Sequence, residues 1–452
     1  MSQEDVIMPK ISIVMPVYNA SKYLEEALCS VLGQTFTDYE LICINDCSTD
    51  GSLETLRTYQ ETDSRISILN NPEHRGAAYS RNRGMKVARG EYLAFLDGDD
   101  IFDEAMFMKA YRTAKEKLAD IVTYQYLHVS SENIHNKINR DYSEGYMNRY
   151  CLQPFSLSEY EPAELLQFPL GPWNKLYRRS LVEDNHLTFQ DLPSGNDLYF
   201  VFMALLLSKK TVMVEDSHVM VYVRDHFTSG RISLNRDPMC TYRAFMKVGQ
   251  ELNGRNIFNR LSGHFYYRAF YSLRDALLVD RNRERAKRFY DFLQSEGIDN
   301  LRAIDRQCYD KLEEYIKNIF QCFIDYDFAS GWYLEENILK LFLHQNLEKV
   351  KVLFERYEFC GDKIAIWGAG ENGRVLLEFC RRHNLHVSAV VDRSKDKQGT
   401  ELYGFKIASL QEISDDIQVI IISACFIYED VVRAVGDKNI EVIDINRFLC
   451  IA

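Results

Sequence analysis

The chain has no apolar run approaching the ~20 residues needed to cross a bilayer, no CxxC pair, no internal repeat and no low-complexity tract. Its eleven cysteines are an odd number, scattered singly from Cys29 to Cys450. Neither a disulfide framework nor a zinc ribbon is therefore expected. Positive charge is in deficit, with 54 Lys and Arg against 66 Asp and Glu for a formal charge of -12. That balance excludes a broad nucleic-acid footprint, which needs clustered cations. The opening MSQEDVIMPK carries acids where an export signal needs a basic and then an apolar stretch. A reduced, cytoplasmic protein is the expectation.

What is present fits a globular protein: 46% hydrophobic and 27% charged residues over 452 positions. At roughly 150 residues per domain the length suggests about three domains, able to bury several cores without a covalent staple. Tyr (28) and Phe (26) are plentiful. Some could stack on bases or sugars, but core packing is the expected use for most.

The first hundred residues alternate strand and helix. Ile11–Met15 reads as a buried strand stopped by Pro16. Ser21 can cap a helix with Leu24, Ala27, Leu28, Val31 and Leu32 at helical spacing. Strands follow at Tyr39–Ile44, Ile66–Leu69 and Tyr92–Leu96, separated by helices after Gly51 and from Gly76 to Val87. This order predicts an α/β fold with a mainly parallel sheet and ligands at the strands' C-terminal ends. Residues 240–360 carry helical periodicity, and 361–452 return to βαβ.

The strongest chemical signal is Leu96-Asp97-Gly98-Asp99-Asp100, directly after an apolar strand. Three carboxylates at one strand end repel one another. A divalent cation held by hard oxygen ligands removes that repulsion and can bridge to a diphosphate. An acidic turn opening the next helix is the competing reading. Three other segments reach the same sheet edge: Pro16-Val17-Tyr18-Asn19, Asn45-Asp46-Cys47-Ser48, and Arg75-Gly76 through Ser80-Arg81-Asn82-Arg83-Gly84. Together they offer an aromatic face, a carboxylate able to accept a pyrimidine N–H, and cationic donors.

These four blocks, in this order and spacing, resemble the nucleotide-sugar domain of inverting glycosyltransferases of family 2, which has the GT-A fold. The resemblance implies a GT-A domain at 1–239, with Pro16, Val17 and Tyr18 lining the uracil and ribose pocket and Asp46 reading the base. Arg81 would support the nucleotide site and Asn82 would fix the loop. Asp97 and Gly98 would lie by the ribose or donor sugar, and Asp99 would be the main ligand of Mn²⁺ or Mg²⁺. For Asp100 a helix-start role competes. The implied partners are a nucleotide-sugar donor, UDP-linked, and a glycan or lipid-linked acceptor, as in bacterial surface polysaccharide synthesis.

Further along, Ser194-Gly195-Asn196-Asp197 precedes an apolar helix. The family usually carries Glu-Asp there, and the resemblance makes Asp197 the general base. Asn196 removes the second carboxylate. An aspartate has an ordinary pKa of about 3.9, so Asp197 would gain strength as a base only as the acceptor hydroxyl acidifies in the transition state. Helix capping is the bland alternative. Gly171-Pro172-Trp173-Asn174-Lys175 resembles the acceptor-facing segment, implying acceptor contacts from Trp173, Asn174 and Lys175; core packing of Trp173 and an ion pair for Lys175 stay open. His226, in Tyr222-Val223-Arg224-Asp225-His226, is a candidate for the metal shell or the diphosphate.

In the helical stretch, Phe265-Tyr266-Tyr267, Phe270-Tyr271 and Leu277-Leu278 lie near the basic run Arg281–Arg288. Peripheral contact with the inner face of an anionic membrane is one reading; an amphipathic helix with a buried aromatic face is the favoured one. Gly368, Gly370 and Gly373 form GxGxxG between a strand and a helix, with Asp392 ending the next strand. The pattern resembles small Rossmann-like modules, with NAD or another nucleotide as a ligand to test and an empty structural or assembly role favoured. A homo-oligomer stays open. Two rivals stand beside the transferase reading: a sugar-nucleotide nucleotidyltransferase, disfavoured because the Pro16–Asn19 loop lacks a glycine-rich, basic triphosphate cradle, and a scaffold or regulatory nucleotide-binding protein with an inactive transferase domain.

Overall fold

A computed structural model describes residues 8–130, 155–156, 169–214, 220–225, 237–279, 282–312, 317, 343, 347–359, 363–414, 416–422, 428–436 and 440–445. The chain forms two compact units, Met1–Asp310 and Lys311–Ala452. The helical stretch expected as a region of its own is thus divided between them.

In the first unit the apolar runs become strands β1 (Ile11–Val17), β2 (Tyr39–Asn45), β3 (Ile66–Asn70) and β4 (Tyr92–Phe95). They lie parallel in the order β3-β2-β1-β4. β1, β2 and β4 are buried almost continuously, as strands covered on both faces must be. β1 runs past Pro16, because the register Pro16↔Ile44 and Val17↔Asn45 holds to its end. The sheet continues with β8 (Lys175–Arg178), antiparallel to β4, then β6 (Ile121–Thr123) and β9 (Thr211–Met213). A smaller sheet joins β5 (Ile101–Phe102), β10 (Met220–Asp225) and β7 (Gln125–Ser130).

Helix α1 (Leu24–Leu32) buries Leu24, Ala27, Leu28 and Val31 as the spacing predicts. Ser21 does not cap it; its backbone amide donates to Asp50 Oδ2 at 3.0 Å. Helices α2 (Ser52–Thr62), α3 (Gly76–Met85), α4 (Met106–Lys117), α5 (Arg179–Asp184) and α6 (Leu198–Leu207) follow. α6, LYFVFMALLL, is buried along nearly its whole length.

Helices α7 (Pro238–Gly254), α8 (Phe258–Val279), α9 (Arg283–Phe292), α10 (Ile298–Ala303) and α11 (Arg306–Asp310) also belong to the first unit. Phe265, Tyr266, Tyr267, Phe270 and Leu277 are all buried in it. These side chains cannot face a bilayer, so the buried aromatic face is the reading the structure bears out. Among the described residues no helix is long and apolar enough to cross a membrane.

The second unit contains α12 (Leu347–Phe359), α13 (Glu371–Arg382) and α14 (Tyr428–Val435). Its sheet comprises β11 (Lys363–Trp367), β12 (Ala389–Val391), β13 (Glu401–Leu402), β14 (Phe405–Ala408), β15 (Ile417–Ile422) and β16 (Glu441–Asp444), in the order β13-β14-β12-β11-β15-β16. All pairs are parallel except the β13–β14 hairpin. The strand order reverses direction at β11, where the glycine loop emerges.

Candidate active site

Because β1, β2 and β4 run parallel and in register, their C-terminal ends bring Tyr18, Asp46 and Asp97 to one edge. Side chains alternate along a strand. Val17 accordingly points into the core and is fully buried, which corrects its expected place in the pocket lining. Pro16 is half-buried, and Tyr18 is 46% exposed. Gly98 is buried against Val17 and the Pro16 carbonyl, so the acidic loop packs directly behind the Pro16–Tyr18 loop.

Asp46 is 1% exposed. Its Oδ1 accepts from Asn71 Nδ2 at 2.5 Å and the Arg75 amide at 3.0 Å. Its Oδ2 accepts from the Gly76 amide at 2.7 Å and lies 2.8 Å from His74 Nδ1. The two amides open α3, so the carboxylate also sits where the positive end of a helix favours it. Gly76 adopts φ +84° there, a backbone conformation that glycine takes without steric cost. The His74 ring stacks on Tyr18, with centroids 3.8 Å apart and planes 23° from parallel. Nothing in the sequence pattern drew attention to His74.

Asp97 is held by Arg81, whose Nη2 donates to Oδ1 at 2.6 Å. Burial raises the Asp97 carboxyl above its ordinary value; Arg81 opposes that rise, while the charges of Asp99 and Asp197 reinforce it. Asp197 is therefore near enough to Asp97 for the two charges to interact. It precedes α6 without capping it, since its side chain makes no bond to the helix amides. The helix-cap alternative is not realised.

The two acids are braced from behind. Phe200, one turn into α6, stacks on Phe189 at 4.2 Å and meets Phe95 of β4 edge-on at 5.3 Å. Tyr177 of β8 closes the cluster against Phe95 and Phe200. Asn82 pins the Phe189 backbone with two 2.8 Å bonds, donating to its carbonyl and accepting from its amide. That is the loop-fixing role expected of it. Asp100 is buried, and Asp103, not Asp100, accepts from the Ala105 amide just before α4.

The acceptor-facing segment departs from expectation. Lys175 is completely buried, and its ammonium donates to the carbonyls of Pro169 and Gly171 and to Asn174 Oδ1 at 2.7–2.9 Å. Burial draws its pKa down to about 7, with the Asp197 charge resisting. Asn174 is buried too and donates to the Tyr124 carbonyl at 3.2 Å. Both side chains are buried and shape the loop from within. Trp173 packs edge-on against Tyr126 at 4.9 Å. His226 lies outside the described residues.

The description "Glycosyl transferase family 2" matches residues 12–185. The chain is 32% identical over 213 residues to EpsJ of Bacillus subtilis, an uncharacterised glycosyltransferase, covering 46% of this chain and 60% of that one. It is 32% identical over 223 residues to the glycosyltransferase GlyG of Streptococcus pneumoniae, covering 46% of this chain and 68% of that one. The chain belongs to glycosyl transferase family 2. It spans about two thirds or less of these relatives' length, and Asp197 falls beyond the stretch that the family description matches. The crystal structure of S. aureus TarS 1-349 in complex with UDP-GlcNAc shares the fold, with TM-score 0.58 and 21% identity over 72% of this chain and 90% of that one. Residues 360–445 match a second description, "C2185-like, N-terminal".

Outside the family 2 region, the C-terminal glycine loop closes on itself. Gly368 adopts φ +102°, and a Cβ on Gly373 would lie 1.7 Å from the Gly368 carbonyl oxygen. Both positions need glycine for the turn and for close helix–strand packing. At Gly370 a Cβ would meet only Lys397 Nζ, at 3.9 Å, so the fold places no such demand there. Asp392, the expected ribose-binding acid, accepts from the Ala369 amide at 2.7 Å, the Ser394 amide at 2.8 Å and Lys397 Nζ at 3.3 Å. It braces the loop instead of facing outward.

The family 2 rim fits a divalent cation by its chemistry. Asp97, Asp99 and Asp197 offer hard carboxylate oxygens, and the charges of the last two act on Asp97. Among the described residues no three His, Cys, Asp or Glu side chains form a closed metal cage. Mg²⁺-type sites need none, because they use one or two carboxylates and take further oxygens from substrate phosphates and water.

Proposed function

We propose that the first unit is a metal-dependent inverting glycosyltransferase. It moves a sugar from a UDP-linked donor to a hydroxyl of a glycan or lipid-linked acceptor, in the assembly of a bacterial surface polysaccharide. One observation carries the reading: Asp97, just past β4, stands at the edge where Tyr18 and Asp46 lie and is close enough to Asp197, at the start of α6, for their charges to interact. The first side serves the donor and the second is left for the acceptor. The bacterial origin of the relatives is consistent with a bacterial pathway.

In this reading Tyr18 supplies the stacking face for the base and Asp46 accepts its ring N–H. Arg81 holds Asp97 toward the ribose and donor sugar. Asp197 accepts the proton of the acceptor hydroxyl as that oxygen attacks the anomeric carbon from the face opposite the leaving diphosphate. One displacement inverts the centre, with no covalent sugar–protein intermediate. Asp99, with His226 as a further candidate, would hold Mn²⁺ or Mg²⁺, which when bound neutralises the charge developing on the diphosphate.

Nucleotide release measured across a panel of donor sugars, with and without Mn²⁺, tests the proposal. Release that needs the metal and is lost in Asp99→Ala is expected. Release indifferent to metal and intact in Asp99→Ala would remove the metal from the reaction.

A further inference from the structure

We infer that His74 covers the base subsite, and that an incoming pyrimidine must displace it from both Tyr18 and Asp46. The inference rests on the proposed docking of a uracil nucleotide at this edge.

An ionised carboxylate offers about four acceptor positions and no donor. At Asp46 three take hydrogen bonds, and His74 Nδ1 stands 2.8 Å from Oδ2 as the fourth neighbour. Three of the donors are fixed by the fold: two are backbone amides at the start of α3, and the third is the buried Asn71 amide, which also reaches Ser80 Oγ at 3.0 Å. The fourth is His74 Nδ1, which must carry its proton toward the carboxylate, on a side chain 51% exposed. Only this donor can leave without unmaking the loop.

The same imidazole covers Tyr18 at 3.8 Å. It thus presents the two features a uracil would present, a flat ring on the tyrosine and a ring N–H on the aspartate. The neighbouring charges do not hold His74 in place. Arg75 pairs with Glu73 at 3.5 Å and Asp191 at 3.6 Å and lies over Tyr79. A base with a ring N–H recovers both interactions on displacing His74. Cytosine turns an accepting N3 toward Asp46 where uracil turns a donating N–H, and its own donor, the exocyclic amine, lies one atom away, so it meets Asp46 less well. His74 thereby weakens binding of either nucleotide by the same factor, and the preference for UDP over CDP comes from Asp46.

The test uses the full chain with ¹³C-labelled histidine, whose His74 signal is assigned by its loss in His74→Ala. In nucleotide-free protein the Tyr18 ring should shield this signal, and Tyr18→Ala should abolish the shielding. Saturating UDP should shift the signal to that of a solvated histidine, whereas equal CDP should not. With the competing ring removed, His74→Ala should bind UDP about tenfold tighter by calorimetry, the scale of one stacked pair and one hydrogen bond. A His74 signal unmoved by bound UDP, or UDP affinity equal or weaker in His74→Ala, would overturn displacement while leaving the donor assignment standing. If neither protein binds a pyrimidine nucleotide, the donor assignment falls and displacement falls with it, even where the shielded signal persists.

Discussion

Asp97 and Asp392 each follow a parallel strand and stand beside a glycine-containing loop, yet the two regions treat them in opposite ways. Burial tends to raise both carboxyls. At Asp392, bonds from the Ser394 and Ala369 amides and from Lys397 outweigh burial and hold the group below its ordinary value. At Asp97 burial outweighs the single guanidinium of Arg81, and the like charges of Asp99 and Asp197 add to the rise. A carboxylate satisfied by its own loop has finished its work as a brace. One left with surplus negative charge has a reason to meet a cation or a sugar hydroxyl.

The largest expected effect lies in the acid pair of the first unit. Asp197→Asn should lower transfer by roughly 10²–10⁴-fold, the usual contribution of a positioned general base, while largely sparing UDP affinity. Kinetics paired with calorimetry separates the two, and equal loss of both would take Asp197 out of the base role. Phe200→Ala comes next. Its ring is completely buried between the elements that carry the two acids, and such truncations cost about 3–5 kcal/mol. Denaturant melts should show that loss together with reduced transfer. Transfer unchanged in the folded variant would mean the aromatic block does not set the acid spacing.

Lys175→Met follows. It leaves the buried Asn174 Oδ1 and two half-buried carbonyls without their donor, at about 1–3 kcal/mol for the buried oxygen before local relaxation. It also makes a prediction in pH. The folded chain sheds the Lys175 proton near pH 7, whereas the unfolded chain holds it up to the ordinary lysine value. The unfolded state therefore binds more protons across that window, so this group makes stability rise with pH. Melts from neutral to mildly alkaline pH should show a flatter profile in Lys175→Met; an unchanged slope would place the titration elsewhere.

Much of this was legible in the amino acids. The β1, β2 and β4 runs, the strand at Lys363–Trp367 and the glycine loop follow from local pattern, and their parallel order fixes which ends meet. The fate of each side chain was less legible. Val17 and Tyr18 share a motif, but strand alternation sends one inward and the other out. Lys175 and Asp392 carry charges that look functional until distant or neighbouring backbone groups come to satisfy them. His74 and Phe189 had no local signature, because their roles come from partners far along the chain. Asp46 looked like a free base reader, since only the folded loop brings the α3 amides onto it.

The smallest expected effect belongs to the second unit and completes the contrast. In Asp392→Asn the neutral amide loses the charge-assisted bonds from Ala369, Ser394 and Lys397. Because the folded carboxyl sits below its ordinary value, its contribution is fully present above the unfolded pKa and is lost as pH falls through the folded one. The variant should therefore show weaker hydrogen-exchange protection at the Ala369 and Ser394 amides near neutral pH. That deficit should close as the medium is acidified below the ordinary 3.8, where the parent chain begins to protonate the same group. Donor binding at the family 2 rim should not change at any pH in that range. A variant that instead weakened UDP binding would show that Asp392 does more than brace its own loop, and the division between braced and waiting carboxylates would fail where it is drawn most sharply.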